Sequence, residues 1–217
     1  MRGSAWCTLA GVCVAAWPVP AAAQHGRLGP DLVFGEYREA TSNMRYRGAG
    51  PGATGSFTFH RVTVEGAIAS VQMDPISGSQ ATESFKATLI DASLRWDVLD
   101  YLGFEVGVTS RETDSEFAAQ SVGAVRVGAR THTLLGPGAD IWLRGDYLAG
   151  AQFSGGGSAP FAVELGFGLD IRWSKHFRAA AQYSFQRLDR KTNPAGGVEV
   201  SVPIEQSLAR IGLAVGF

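Results

Sequence analysis

Residues 161–173 alternate strictly between two kinds of side chain, and this alternation constrains the fold more than any other part of the sequence. Every second position is large and apolar: Phe161, Val163, Leu165, Phe167, Leu169, Ile171 and Trp173. The positions between them are small or charged: Ala162, Glu164, Gly166, Gly168, Asp170 and Arg172. A period of two is typical of a β-strand. A strand of about 10 residues with one apolar and one polar face predicts a membrane strand, apolar toward lipid and polar toward a lumen.

The first 23 residues have the three parts of an export signal. Arg2 supplies a short positive region, residues 5–17 form an apolar run, and residues 21–23 are three alanines. This order is typical of a cleavable signal peptide, with the mature chain beginning near Gln24. Both cysteines of the chain lie inside this segment. We therefore expect no thiol, disulfide or cysteine metal site in the mature protein.

Eight segments of the remaining chain show period-two alternation bounded by Gly, Pro, Asn and Asp. They are residues 57–71, 84–96, 102–112, 120–132, 140–153, 161–173, 177–188 and 205–217. We expect an all-β, transmembrane, antiparallel up-and-down β-barrel of eight strands, with residues 48–55 as a flexible glycine-rich connector. Ten strands is the alternative, because residues 31–41 are also strand-like and could pair with a poorly alternating segment around 44–47. The expected domains are a signal peptide at 1–23, an N-terminal extension or first-hairpin segment at 24–56, and the barrel at 57–217.

The outward parity of these strands places aromatic side chains at two levels. If the chain ends at the periplasmic rim, that rim carries Trp96, Tyr101, Trp173, Phe177 and Phe217. The outer rim then carries Phe117, Phe153, Phe161 and Phe185. Two such girdles are typical of a membrane-spanning barrel, as are short periplasmic turns and longer outer loops.

The inward parity sends charges of both signs to the lumen. They are Arg61, Glu65, Asp91, Arg95, Glu105, Arg111, Arg126, Arg130, Arg144, Asp146, Glu164, Asp170, Arg172, Arg178 and Arg210. A barrel of eight strands is just wide enough for side chains to fill, so these groups are expected to pair across a plugged, polar lumen. A polar pore or proton path is the functional alternative. Trp142 also points inward by parity, either as a lumen-filling aromatic or as a sign of a register error.

Residue types that carry chemistry are scattered along the chain. The four histidines are His25, His60, His132 and His176. They lack metal-ligand spacing and any H-E-x-x-H motif. Asp114 and Glu116 offer two carboxylates with no histidine nearby in sequence, so the acidic pair with an Asp and His dyad that barrel proteases use is incomplete. We expect no catalytic residue, no cofactor and no metal site.

The export signal, the alternating strands and the final Phe217 together resemble the small bacterial outer-membrane β-barrel proteins of the OmpA/OmpX type over residues 57–217. This resemblance implies a location in the outer membrane of a Gram-negative-type bacterium, in contact with outer-membrane lipid and lipopolysaccharide. It also implies that Phe217 is an assembly signal for the barrel assembly machinery. The charged residues within 187–191 could contact lipopolysaccharide phosphates or be solvated. The oligomeric state stays open, with a monomer as the expectation.

Several functions fit such a barrel, because fold alone does not determine function. We expect a non-enzymatic barrel with a filled polar lumen and surface-exposed loops, in a structural or surface-interaction role. The alternatives are a narrow pore or small-solute transporter, a lipid-modifying barrel enzyme, or a soluble lipocalin-like barrel with the opposite parity. A net charge of −1 and the lack of a basic stretch argue against nucleic acid as a partner.

Overall fold

Ten antiparallel strands form a closed barrel in the computed structural model, which describes residues 24–192 and 199–217. The strands are β1 Gln24–Glu39, β2 Met44–Phe59, β3 Val62–Pro75, β4 Phe85–Leu99, β5 Leu102–Thr113, β6 Val122–Gly136, β7 Ala139–Phe153, β8 Ser158–Arg172, β9 Phe177–Thr192 and β10 Val200–Gly216. Each strand pairs with the next along the chain, and β1 pairs with β10 to close the barrel. A 3₁₀ helix at Ser115–Gln120 lies between β5 and β6. None of the helices in the described chain is long and apolar enough to cross a membrane.

The strand count is ten, the alternative, and the favoured count of eight is wrong. Residues 24–56 form β1 and most of β2, so they are the first hairpin of the barrel and not an extension outside it. The glycine-rich stretch 48–55 is part of β2, where it pairs with both β1 and β3. Alternation was hard to recognise there because glycine and alanine occupy both faces of the strand. The expected signal peptide lies outside the described residues.

The first segment expected as one strand, 57–71, contains a turn. His60 has a positive φ of 55°, so β2 ends at Phe59 and β3 begins at Val62. Non-glycine residues rarely adopt this conformation outside turns. Histidine and arginine at 60 and 61 carried none of the Gly, Pro, Asn or Asp signals that marked the other turns.

The two ends of the barrel differ in the length of their connections. The end that carries both the start of β1 and Phe217 has the turns 60–61, 100–101, 137–138 and 173–176. The other end has the connections 40–43, 76–84, 114–121, 154–157 and 193–199. Short turns face the periplasm and longer loops face outward in barrels of this class. We therefore call the first the periplasmic end and the second the outer end.

An uncharged band surrounds the barrel between these ends. The outward positions of this band lie, at every second residue, within 28–34, 49–57, 62–70, 88–96, 102–110, 123–131, 141–149, 161–173, 177–185 and 209–217. None of these outward positions in the described strands is Asp, Glu, Lys or Arg. Leu165 and Leu213 are 60% and 56% exposed on it. A water-soluble barrel would expose charges here, so this chain has the fold of a small outer-membrane barrel.

The periplasmic girdle has the composition that the parity predicts, and the outer girdle does not. Trp96, Tyr101, Trp173, Phe177 and Phe217 are all exposed at or beside the periplasmic turns. At the other end, Phe161 is exposed, whereas Phe153 is buried inside the barrel and Phe117 packs against its core. A bulge in β7 causes the error for Phe153: Gly150 has a φ of 63°, and the register with β6 shifts there. An added residue reverses the parity of the strand beyond it.

We expect a charge on the uncharged band to destabilise the barrel in a depth-dependent way. Leu213→Arg, at the middle of the β10 segment, should lower the free energy of unfolding by about 2 to 4 kcal/mol in lipid vesicles. Leu135→Arg, beside the 137–138 turn, should cost about 0 to 1 kcal/mol. Urea unfolding followed by tryptophan fluorescence measures both, and equal costs at the two depths would contradict a membrane-spanning band.

Candidate functional site

The middle of the lumen holds a cluster of buried ion pairs. Glu105 on β5 lies between two β6 arginines, with its carboxylate 3.1 Å from Arg126 Nη2 and 3.1 Å from Arg130 Nε. Arg144 on β7 lies 3.0 Å from Asp146 on the same strand and also pairs with Glu164 on β8. Paired and hydrogen-bonded charges are the form in which charged groups tolerate burial.

Glycines make room for this cluster. Glu105 is the register partner of Gly128, which separates Arg126 and Arg130 on β6. A side chain at Gly128 would overlap Asp146 and the backbone of β7. Gly168 on β8 is the register partner of Trp142, and a side chain there would overlap the indole ring. Glycines at these inward positions therefore give room to the bulky side chains of the neighbouring strand.

Further ion pairs connect the cluster to the opposite wall. Glu65 on β3 accepts two hydrogen bonds from Arg130, at 3.0 and 2.8 Å, in the bidentate geometry that arginine favours. Asp91 on β4 lies 3.6 Å from Arg126 and 3.8 Å from Arg210 on β10. Arg210 also lies 3.4 Å from Asp31 on β1. The ion pairs thus link strands on all sides of the barrel.

Of the fifteen lumen residues expected from parity, the structure brings eleven together in and around the central cluster. These are Glu65, Asp91, Arg95, Glu105, Arg126, Arg130, Arg144, Asp146, Glu164, Asp170 and Arg210. Arg61 is not in the lumen, because it lies in the 60–61 turn and donates to the Val98 carbonyl at 3.1 Å. Arg172 is exposed at the periplasmic rim. Of the two other inward arginines, Arg178 lies 3.6 Å from Asp170, and Arg111 lies near the outer end.

Sequence reasoning missed Arg27 and Asp31, which complete the network from β1. Arg27 pairs with Asp170 on β8, and Asp31 accepts a 2.6 Å hydrogen bond from Thr54. The favoured count of eight strands does not include residues 24–56, so its parity does not extend to Arg27 and Asp31. The signal was present, since Arg27 and Asp31 share one parity, opposite to that of Leu28 and Leu32.

The outer half of the lumen is apolar, which corrects the expectation of a polar lumen throughout. Phe85 packs edge-to-face against both Tyr37 and Tyr46, with the ring centroids of Tyr46 and Phe85 4.9 Å apart, and the two tyrosine rings are tilted against each other. Phe117 of the 3₁₀ helix stacks on Phe85 at 5.0 Å. The apolar plug, as we call this layer, also contains Val33, Val71, Met73, Ala87, Leu89, Leu148, Leu188, Ile204 and Leu208, all buried.

Arg111 attaches the 3₁₀ helix to the apolar plug. Its guanidinium carbon lies 4.8 Å from the centre of the Tyr37 ring, and its Nη2 donates a 2.9 Å hydrogen bond to the Gln120 carbonyl. It also donates to Gln206 on β10. A buried arginine with a stacked ring and three hydrogen bonds to two acceptors is largely satisfied, so it holds the connection between β5 and β6 across the outer opening of the lumen.

The periplasmic half of the lumen contains a polar vestibule of about 240 Å³. Its lining includes His25, Arg27, Arg95, Asp97, His132, Asp140, Asp170, Arg178 and Trp142. Trp142 also lines a smaller central cavity of about 60 Å³. Arg130 stacks on its ring at 4.8 Å, so the inward parity of Trp142 reflects a lumen-filling aromatic and not a register error. The smaller cavity has polar walls and room for ordered water.

The groups that could carry chemistry lie at opposite ends of the barrel. His25, His60, His132 and His176 are all at the periplasmic end, at strand ends or in turns. Asp114 and Glu116 are at the outer end, beside and within the 3₁₀ helix. Over residues 24–192 and 199–217, no group of three or more His, Cys, Asp or Glu side chains is placed to hold a metal ion.

Removing the buried Glu105 carboxylate should be far more costly than removing an exposed one. Glu105→Gln leaves Arg126, Arg130 and Arg144 without a shared negative charge, and we expect a loss of about 3 kcal/mol in the free energy of unfolding. Glu36→Gln is the matched control, since Glu36 pairs with Arg47 at 2.7 Å on the exposed surface, and should cost less than about 1 kcal/mol. Similar costs for the two variants, measured by urea unfolding in vesicles, would show that the lumen network is not essential.

Comparisons with known proteins find similarity at the level of solved structures. No protein-family model matches the chain, and no curated protein matches it. Neisserial surface protein A is 11% identical with a TM-score of 0.42, and the match covers 88% of this chain and 97% of that one. The outer-membrane protease OmpT from Escherichia coli is 8% identical with a TM-score of 0.48, covering 89% and 96%. Ail, the attachment invasion locus protein of Yersinia pestis, is 12% identical with a TM-score of 0.41, covering 89% and 98%. These likenesses carry no argument about the role of this chain, and its assignment as an outer-membrane barrel comes from its own closed topology and uncharged band.

Proposed function

We propose that this protein is a non-conducting, non-enzymatic barrel of the bacterial outer membrane, whose lumen is structural and whose outer loops present a surface to the environment. The apolar plug is the observation that carries the proposal. Val33, Val71 and Ile204 have no solvent exposure, although they line the interior of a barrel. Dry, close-packed apolar side chains oppose the passage of ions and polar solutes.

The cavities of the lumen support the same conclusion. The vestibule of about 240 Å³ is at the periplasmic end. Above it, the central cavity is about 60 Å³, and a third cavity beside Leu188 and Leu208 is about 20 Å³. The space therefore narrows toward the apolar plug. A pore or transporter would need rearrangement of both the ion pairs and the plug.

Four outer connections of the described chain are joined in pairs by hydrogen bonds, which favours a surface-interaction role. The Asn43 side chain donates to the Gly78 carbonyl at 3.3 Å, which joins connection 40–43 to connection 76–84. Asp114 accepts a 2.9 Å hydrogen bond from the Lys86 amide, and Ser154 donates to the Ser121 carbonyl at 3.0 Å. Ordered loops lose less conformational entropy on binding a partner, so a rigid barrel that presents them is suited to recognition.

The separation of histidines from outer carboxylates supports a non-enzymatic role. A barrel protease of the kind considered above needs its acidic groups and histidine within hydrogen-bond reach at the outer rim. In this chain Asp114 and Glu116 share that rim with no histidine, since all four histidines of the sequence are at the periplasmic end. The soluble lipocalin-like alternative is also disfavoured, because it would require charges on the outward face where the uncharged band lies.

Conductance measurement tests the sealed lumen. We expect the refolded protein in planar bilayers to show no stepwise conductance, with insertion verified by a heat-modifiable, protease-resistant band. Steps that scale with protein concentration, and whose size changes in Trp142→Ala, would come from this lumen and would overturn the proposal in favour of a pore.

Labelling of whole cells tests the orientation. Ser77→Cys, in connection 76–84, should react with a membrane-impermeant maleimide on intact cells. Lys175→Cys, in the 173–176 turn, should react only after the outer membrane is permeabilised. The native chain has cysteines only at positions 7 and 13. The reverse pattern would place the longer loops in the periplasm and remove the basis for a surface role.

A further inference from the structure

Four charged side chains form a row across the outer-end exterior of neighbouring strands. Arg187 on β9 lies opposite Glu205 on β10 in the strand register. Glu205 in turn lies opposite Arg38 on β1, and Arg38 lies opposite Arg45 on β2. We call these residues the arginine row. Arg38, Arg45 and Arg187 all share the outward parity of their strands and are exposed. The row lies beyond the outer edge of the uncharged band, and in a bilayer the polar headgroups flank the hydrocarbon core.

Positive charge exceeds negative charge in the arginine row. Glu205 lies 3.8 Å from Arg38 and 3.9 Å from Arg187, and Asp189 on β9 lies 3.4 Å from Arg187, so two carboxylates serve three arginines. Arg45 has no ion-pair partner within 4.0 Å in the part of the chain that the structure describes. Like charges directly opposite each other on neighbouring strands are destabilising. An anion between Arg38 and Arg45 would relieve this repulsion and accept hydrogen bonds from both.

In the next row toward the membrane, unlike in the arginine row, the arginine has enough carboxylates beside it to balance its charge. Arg47 lies 2.7 Å from Glu36 on β1 and is the register partner of Asp74 on β3. It is therefore flanked by two carboxylates. The surplus charge is specific to the arginine row and is not a general property of this wall.

A lipid-facing groove lies directly below these rows. Its volume is about 440 Å³, and its lining includes Phe34, Gly35, Gly48, Ala49, Tyr183, Ser207 and Ala209. Small residues on β1, β2 and β10 form the floor, while Phe34 and Tyr183 are taller. The Tyr183 hydroxyl hydrogen-bonds the Ser207 hydroxyl at 3.0 Å. The groove is apolar over most of its surface and opens toward the membrane, as a seat for an acyl chain would.

The opposite wall of the barrel lacks this combination. The outward residues at the outer ends of β4 and β5 include Lys86 and Glu112, and the following connection carries Asp114 and Glu116. Negative charge therefore predominates there. An anionic ligand would be attracted to the β9, β10, β1 and β2 side and repelled from the β5 side.

We propose that the arginine row and the groove together bind a phosphate-bearing, acylated lipid of the outer leaflet. One phosphate lies between Arg38 and Arg45, and one acyl chain lies in the groove. Arg38 is four positions beyond Phe34, which is about 13 Å along a strand at roughly 3.3 Å per residue. This distance between the groove and the arginine row suits a lipid whose acyl chain begins below its phosphate. This inference is independent of the sealed lumen and holds for a conducting barrel as well.

A binding measurement with lipid A tests the phosphate contact. The probe is diphosphorylated lipid A added to the full mature chain in non-ionic detergent, with bound copies counted by native mass spectrometry. The double variant Arg38→Gln with Arg45→Gln should bind it about tenfold or more weakly, since each basic residue near anionic lipid contributes about 1 kcal/mol. Lys86→Gln, a basic residue outside the row, is the matched control and should leave binding unchanged. Equal binding by the double variant and the native chain would overturn the proposal.

Further arms test the groove and the source of the phosphate. Ala49→Leu with Ala209→Leu fills the groove and should weaken lipid A binding severalfold, whereas Ala92→Leu on the outward face of β4 should not. Dephosphorylated lipid A should bind the native chain weakly, and inorganic phosphate at the same concentration should not compete. Full competition by inorganic phosphate, or a lipid-free dimer that the groove-filling variant dissociates, would overturn the assignment to a lipid.

Discussion

The closure of β1 against β10 is the constraint on which the rest of the structure depends. Within a hydrocarbon layer no water is present to hydrogen-bond an unpaired strand edge, so a sheet can cross a membrane only as a closed barrel. The register between the two strands runs from Arg27 opposite Gly216 to Glu39 opposite Ile204. Without the first hairpin, β3 and β10 would both present free edges. Residues 24–56 are therefore part of the minimal fold, although their alternation is poor.

In a closed membrane barrel the apolar side chains face outward to lipid and the polar ones face inward, the reverse of a soluble protein. The lumen must then be filled by side chains. Ten strands enclose more space than eight, and long side chains occupy it. The middle of the lumen is filled by ion pairs centred on Glu105 and by Trp142, and the polar vestibule lies on its periplasmic side. The outer half is filled by apolar side chains around Tyr37 and Phe85. The charges are compensated where they are buried, while the apolar plug requires no partner, and the two fillings together account for a narrow, sealed interior.

The same inversion gives the outer surface its character. Once the uncharged band is fixed by lipid, charged side chains can appear outward only beyond it. The arginine row and the ordered loops both lie in that narrow zone at the outer end. Because the middle and the outer half of the lumen are used for packing, the loops and the lipid-facing rim remain for recognition. The proposed role and the proposed lipid site both follow from this division.

Sequence could predict the fold wherever the two faces of a strand differ in size and charge. In β8 each apolar residue from Phe161 to Trp173 alternates with a small or charged one, and the strand lies where the pattern predicts. In β2 both faces are small, so the pattern disappears. The bulge at Gly150 could not be anticipated either, because its single extra residue leaves composition unchanged while reversing the parity that placed Phe153 outside. Parity alone identifies the lumen charges on the other strands. Their partners on β1, Arg27 and Asp31, can be identified only if residues 24–39 are counted as a strand of the barrel.

The most direct test of this account is the environment of β2. Residues 49, 51, 53, 55 and 57 are outward positions of the uncharged band, and nitroxide labels attached to single cysteines there can be compared in lipid vesicles. If β2 is a membrane strand, the labels will be accessible to oxygen and protected from a water-soluble nickel reagent, most strongly at position 53. If all five labels are instead open to the nickel reagent, the first hairpin lies outside the membrane, and the ten-stranded barrel described here is wrong.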